Sequence, residues 1–227
     1  MPVEQRWREG KTAWVEPGRP YFDPDRYVVR RIPWQDAVNF VVRHHYSGSY
    51  PQISARYGMI DVSGRKPKLV GVATFGIPQG GAVADKWLSG KPGLELNRFV
   101  LLDEVGFNAE TWFLGQAFRL LRRERPDVQG VFAMSDPNPR HDAHSQVVMP
   151  GHVGQIYQGF NAILLGRSEP RNLWLDELGR TISLRAASKL GKERGGGFTA
   201  EGKPTGGGFY QRFLDVGAPP QRPGEGA

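Results

Sequence analysis

Between Leu94 and Asp136 the hydrophobic period of the chain changes twice. Leu94, Leu96, Phe99, Val100, Leu101 and Leu102 form an apolar run broken by Glu95 and by the polar pair Asn97-Arg98, the pattern of a strand covered mostly on both faces. From Asn108 the spacing becomes i, i+3 and i+4 through Trp112, Phe113, Gln116, Ala117, Leu120 and Leu121, the stripe of an amphipathic helix. Asn108 is the expected N-cap, Glu110 stands in the first turn and Pro126 stops the helix. Val128 to Met134 reads as a second strand, closing on Ser135-Asp136-Pro137. A strand, a helix and a strand this close together form a βαβ unit, whose strands lie parallel with a right-handed crossover. Strand ends and a helix N-terminus then share one rim, which is where α/β proteins bind ligands. Arg98, Ser135 and Asp136 are therefore the first candidate site residues.

The chain before this unit supplies more of the sheet. Residues 1–25 are polar and proline-punctuated and read as an extended arm whose aromatics, Trp7, Trp14, Tyr21 and Phe22, dock on the domain. Tyr27 to Ile32 suits an edge strand. Trp34, Ala37, Val38, Val41 and Val42 mark a helix that runs into His44-His45-Tyr46 and ends at Gly48 and Pro51. Ala55 to Val62 and Leu69 to Gly76 are two strands joined by a basic hairpin turn containing Arg65 and Lys66. Ile77 to Gly93 holds several glycines and prolines and reads as a long surface loop.

Beyond the βαβ unit, residues 138–152 are irregular. Gly154 to Phe160 suits a short helix, and Ala162 to Leu165 and Leu173 to Leu175 suit strands. From Ser188 the composition shifts to glycine and lysine, too apolar-poor to order itself, so residues 188–227 are expected to be a mobile tail. The expected organisation is an arm over 1–25, one domain over 26–187, and that tail.

Charge and composition narrow the function classes. A chain of 227 residues without cysteine has no disulfide and no thiolate metal site, which fits a reducing cytoplasmic setting. No apolar run approaches the ~20 residues of a membrane helix, so no membrane partner is expected. The net charge of +7 favours a polyanionic partner such as nucleic acid. Arg180, Arg185, Lys189 and Lys192 lie among few acids beside glycine-rich chain, and with Arg65 and Lys66 they are the expected DNA-binding cations.

Four constellations carry chemistry. Arg98 within a strand must either pair with a carboxylate such as Asp136 or Glu95, or face a ligand anion. Ser135-Asp136-Pro137 ends the neighbouring strand. His44-His45-Tyr46-Ser47 offers a general base, or histidines that complement a helix dipole. Gly151-His152-Val153-Gly154 turns into a helix bearing Tyr157, a candidate general acid beside free amides that suit an anion. A metal reading takes His141, His144 and His152 with Asp136 or Asp142 as a two-histidine, one-carboxylate set suited to iron or zinc.

Taken in order, HHYSGSYPQ (44–52), LVGVATFGIP (69–78), ELNRFVLLDEVGFNAETWFL (95–114), VFAMSDP (131–137), GHVGQIYQGFNAILLGRS (151–168) and LWLDELGRTISLR (173–185) resemble the phage Mom family of DNA modification proteins. That family is similar in fold to the GNAT superfamily of acyltransferases, so the resemblance implies a single GNAT-like α/β domain with a mixed sheet. It implies conversion of adenine in double-stranded DNA to a carbamoylmethyl (acetamido) derivative that protects the DNA from restriction. It points to Tyr46, Arg98, Ser135, Asp136 and Tyr157, with His45, as the catalytic set. Arg98, Gly151, His152 and Gly154 would hold a small-molecule donor, acetyl-CoA or a relative of it, and iron is a further implied cofactor. Ordinary GNAT enzymes carry a glycine-rich pyrophosphate turn before the central helix, whereas residues 104–110 read E-V-G-F-N-A-E. The rival expectations are an acetyl-CoA-dependent N-acetyltransferase acting on another amine, and a non-catalytic basic DNA-binding protein.

Overall fold

The computed structural model describes residues 4–8, 11–15, 22–78, 81–106, 108–149, 151–168, 174–175 and 181–182. The chain divides into two compact units, Met1–Ser168 and Glu169–Ala227. In the first, β1 (Glu4–Arg8) and β2 (Lys11–Val15) pair antiparallel as a hairpin. The arm is thus extended, as its sequence predicts, but paired with itself. Phe22 docks on the domain, stacking on Tyr27 at 5.2 Å and against Trp112 at 5.1 Å. The side chains of Trp7, Trp14 and Tyr21 lie outside the described residues.

The body of the unit is an α/β sheet layered between helices. β3 (Tyr27–Arg31) leads into α1 (Trp34–His44), followed by β4 (Ala55–Asp61), β5 (Lys68–Gly76), α2 (Gly81–Leu88), β6 (Gly93–Leu101), α3 (Ala109–Glu124) and β7 (Gly130–Phe132). The sheet order is β3-β4-β5-β6-β7, antiparallel throughout except for the parallel pair β6–β7. The predicted βαβ unit is therefore present, and the sheet is mixed. Next come the small hairpin β8 (Arg140–His141) with β9 (Val147–Met149), and the short helix α4 (Gln155–Gly159). In the second unit β10 (Trp174–Leu175) pairs antiparallel with β11 (Thr181–Ile182).

Each sheet face is closed by one helix. Phe113, Leu114, Ala117 and Leu121 of α3 pack on Tyr57, Met59, Phe75 and Leu96. Ala37, Phe40 and Val41 of α1 pack with Ile32, Ile60, Val72 and Val100. Neighbouring residues such as Val72 and Ala73 join opposite clusters, the two-residue alternation of a strand buried on both sides. Fully burying a side chain such as Phe113 contributes about 1.5–3 kcal/mol, so these two stripes hold α1 and α3 in place.

Several local expectations are corrected. The stretch 77–93 contains α2, because its glycines bracket Ala82 to Leu88 rather than interrupt that helix-forming run. A methyl on Gly93 would overlap Leu88, and one on Gly130 would sit 2.8 Å from it, so both glycines let Leu88 seat against the strands. The strand expected over 128–134 shortens to Gly130–Phe132. Ala162 to Leu165 is not a strand: apolar sequence without a partner strand to pair with leaves this segment exposed. Asn108 has φ 63° and makes no side-chain cap, and Thr111 Oγ1 instead donates to its carbonyl at 3.1 Å. Among the described residues no helix is long and apolar enough to cross a membrane.

Candidate active site

The site forms where β6 and β7 part. Their parallel pairing ends at Glu95↔Phe132, so beyond it the two strands no longer bond each other. Arg98 leaves β6 just past this point, and Ser135-Asp136 follow β7. On its other side β6 slips register against β5, with Thr74↔Arg98 followed by Phe75↔Leu96. Asn97 is thus the extra residue of a β-bulge, a device that re-aims the next side chain. A methyl on Gly76 would strike both Asn97 Oδ1 and the carbonyl of Gln52, so that glycine makes room for the bulge.

The guanidinium of Arg98 is clamped from the end of α1. His45 caps α1, its N–H bonded to Val41 O at 2.9 Å, and Gly48 turns the chain at φ 54°. Ser49 then lies over Arg98, whose Nε donates to Ser49 O at 3.1 Å and whose Nη2 donates to Ser49 Oγ at 3.0 Å. Arg98 Nη1 donates to Asn97 O at 2.7 Å. All three acceptors are neutral oxygens, and the Glu95 carboxylate lies near enough to act on the guanidinium through its charge. Burial lowers the pKa of Arg98, opposed by the nearby Tyr46, Glu95 and Tyr157, yet an arginine stays charged.

Around this cation sit two histidines and two tyrosines. Nδ1 of His45 accepts from the Ser47 amide at 3.1 Å and lies 2.8 Å from Ser47 Oγ. An Nδ1 that accepts from an amide places the ring proton on Nε2. Burial, then Arg98, then His152 push the His45 pKa down to about 3, so the ring is a neutral donor and a poor base. The Tyr46 hydroxyl lies 3.3 Å from His152 Nε2. His152 donates its amide to Asp136 O at 2.8 Å, and burial lowers its pKa against the opposing pull of Asp136. Tyr46 and Tyr157 are both raised, chiefly by burial, with Arg98 opposing in each case. Both phenols are therefore held protonated.

Two glycines make this packing possible. Gly151 has φ 75°, and a methyl there would run into Pro137 O. Gly154 has φ 71°, and its absent Cβ would sit 2.9 Å from the Tyr157 ring and 3.3 Å from Ser135 Oγ. Left-handed backbone at both positions favours glycine.

The structure thus brings Tyr46, Arg98, Asp136, His152 and Tyr157 together, with Ser135 beside Gly154 and His45 behind Tyr46 at a ring separation of 4.1 Å. Sequence reasoning missed Ser47 and Ser49, whose only signal is the Ser-Gly-Ser turn at a helix end. The metal set does not assemble. His141 and His144 are exposed, Asp142 Oδ1 is taken by the amides of His144 and Gln146, and His152 faces Tyr46. Among the described residues no three histidine, aspartate or glutamate side chains converge on a metal position. Arg65 and Lys66 are exposed in the β4–β5 turn, while Arg180, Arg185, Lys189 and Lys192 lie outside the described residues.

A comparison with curated proteins gives no match. The sequence model of the Mom protein family matches residues 26–196, most of the chain and all of the cluster around Arg98. By that match the chain belongs to the Mom protein family, a family of phage DNA-modification proteins.

Proposed function

We propose that this chain transfers a carbamoylmethyl group to the exocyclic amine of adenine in double-stranded DNA, on a GNAT-like sheet, at the split between β6 and β7. The observation that carries the reading is the convergence there of one clamped cation, two protonated phenols and a carboxylate. Tyr50 Oη, Thr74 Oγ1 and Asn97 Oδ1 support it: all three are buried without a hydrogen-bond partner, on residues next to Ser49 or to Arg98 or opposite it in the sheet. A buried polar atom left unpaired calls for a partner, and a bound ligand group would supply one.

In this reading Arg98 holds the carbonyl or carboxylate of the donor, as a planar fork suited to oxygen acceptors. The target adenine leaves the base stack, since its amine is otherwise paired. A bond forms between N6 and the donor carbon as N6 loses one proton to Asp136 or His152. The leaving group departs with the bonding pair and takes a proton from Tyr157. His45 contributes its Nε2–H as a donor rather than as the base. The chain before α3 reads E-V-G-F-N-A-E over 104–110 rather than the glycine-rich pyrophosphate turn of ordinary GNAT enzymes, so in this reading the donor is held by Arg98 rather than at the start of α3. Iron finds no converging donor set among the described residues, so no step runs through it.

Nucleosides from DNA of cells expressing the chain provide the test. A carbamoylmethyl-adenine peak in their mass spectrum is expected. Unmodified adenine throughout, with the soluble chain present, overturns the proposal.

A further inference from the structure

Next to the cluster, the chain displays an apolar run that nothing in the site uses. Ile163, Leu164 and Leu165 are 83%, 87% and 51% exposed, and Val153 nearby in sequence is 60% exposed. Scattered exposed leucines are ordinary, but three consecutive apolar residues held out in water are not. The run is also fixed in place. Its start is tied to the site, because Ala162 donates its amide to Tyr157 O at 2.9 Å, and Asn161 turns the chain at φ 59°. Phe160, just before it, packs on Phe118 at 5.3 Å. Its far end is Gly166, at φ 146°, where a methyl would come within 2.9 Å of the Trp87 ring. Gly-Arg-Ser follows, with Arg167 exposed.

We propose that Ile163-Leu164-Leu165 is a wedge that enters a base step of duplex DNA and holds the gap open while the adenine beside it is turned out toward Tyr157. The inference rests on the reading of the site as a DNA adenine modification centre. Consecutive Cα atoms are about 3.8 Å apart, so Ile163 stands within one residue of an anchor on Tyr157 itself. A wedge has to lie that close to the pocket that receives the base. The size also suits a wedge: leucine and isoleucine are among the apolar side chains that enter base steps, whereas a stable protein interface uses ~20–30 residues a side. The charge agrees, since a net +7 chain with Arg167 at the wedge's edge draws the phosphate backbone to it.

The test uses the full chain and a long duplex in which a fraction of the adenines is replaced by 2-aminopurine, whose fluorescence rises on unstacking. The comparison is with Ile163→Ser/Leu164→Ser/Leu165→Ser, exposed positions at which serine leaves the melting temperature unchanged. The wild-type chain raises the fluorescence, and the triple variant lowers that rise roughly tenfold while binding the duplex within about threefold, since phosphate contacts carry non-specific affinity. Modification by the triple variant recovers on adenines placed in mismatches, which need no wedge. Equal unstacking by wild type and variant overturns the wedge and leaves the modification reading standing. A wild-type dimer that the variant converts to monomer overturns it in favour of a second copy on this surface. Failure of the wild-type chain to bind duplex overturns both readings together.

Discussion

Ser49 holds Arg98 twice, its carbonyl accepting from Nε at 3.1 Å and its hydroxyl from Nη2 at 3.0 Å. A short turn after α1 thereby sets the plane of a guanidinium that belongs to the central sheet. Its hydroxyl also lies 3.3 Å from Ser47 Oγ, which in turn contacts His45 Nδ1, so one chain of hydroxyls orients both the cation and the neutral imidazole.

Ser49→Ala removes the hydroxyl bond and keeps the carbonyl bond. Adenine modification is expected to fall about tenfold, as misplacement of a positioning group does. Unfolding free energy should fall by about 1.5–3 kcal/mol, as for a hydrogen bond to a charged group. Nucleoside quantification and urea unfolding of the same preparation separate the two effects.

The His45 ring, with a pKa near 3, resists protonation in the folded chain, whereas an unfolded histidine titrates near 6.5. Between those values the unfolded state binds more protons, so this group stabilises the fold above about pH 6.5 and loses that contribution as pH falls toward 3. The slope approaches about 1.4 kcal/mol per pH unit. His44 and His152 act with the same sign, both being lowered by burial. Urea unfolding at a series of pH values should show a shallower acid loss for His45→Gln than for wild type.

Tyr157→Phe deletes the phenol and little else. Its hydroxyl is the proposed acid, so the modification rate should drop by about 10²-fold or more with the fold intact by circular dichroism. Tyr157→Phe at the wild-type rate would assign the proton to another group.

Two glycines in left-handed backbone should respond differently. Gly48→Ala meets open space and carries only the cost of its φ of 54°, about 1–2 kcal/mol. Gly154→Ala adds a clash with the Tyr157 ring and should cost more, about 2–4 kcal/mol in all, with loss of modification. Denaturant midpoints of the two variants give the order.

Most of the candidate cluster was legible in sequence because these contributors are polar chain set against apolar pattern. Arg98 interrupts a buried strand, Ser135-Asp136 follow one, Tyr46 stands just past the end of α1, and Tyr157 lies within the short helix α4. The βαβ unit followed from period alone, and the mixed sheet was implied by the family resemblance. Ser49 left no such mark, since its role comes from a turn folding back over a strand that is distant in the chain. The bulge at Asn97 was hidden too, because one extra residue only shifts an alternation that is already imperfect. Ala162 to Leu165 has strand-like composition, but a strand needs a partner, and pairing is not a local property. Glycines misled at α2, where they stand at the ends of a helix rather than within it.

The central claim is that the cluster around Arg98 performs the modification. Nucleosides should be quantified by mass spectrometry from DNA of cells expressing wild type or Arg98→Ala at matched soluble levels. Carbamoylmethyl adenine in the wild-type sample and its loss by about a hundredfold or more in Arg98→Ala, with DNA binding retained, is the predicted result. Modified adenine at undiminished level in Arg98→Ala would contradict the account.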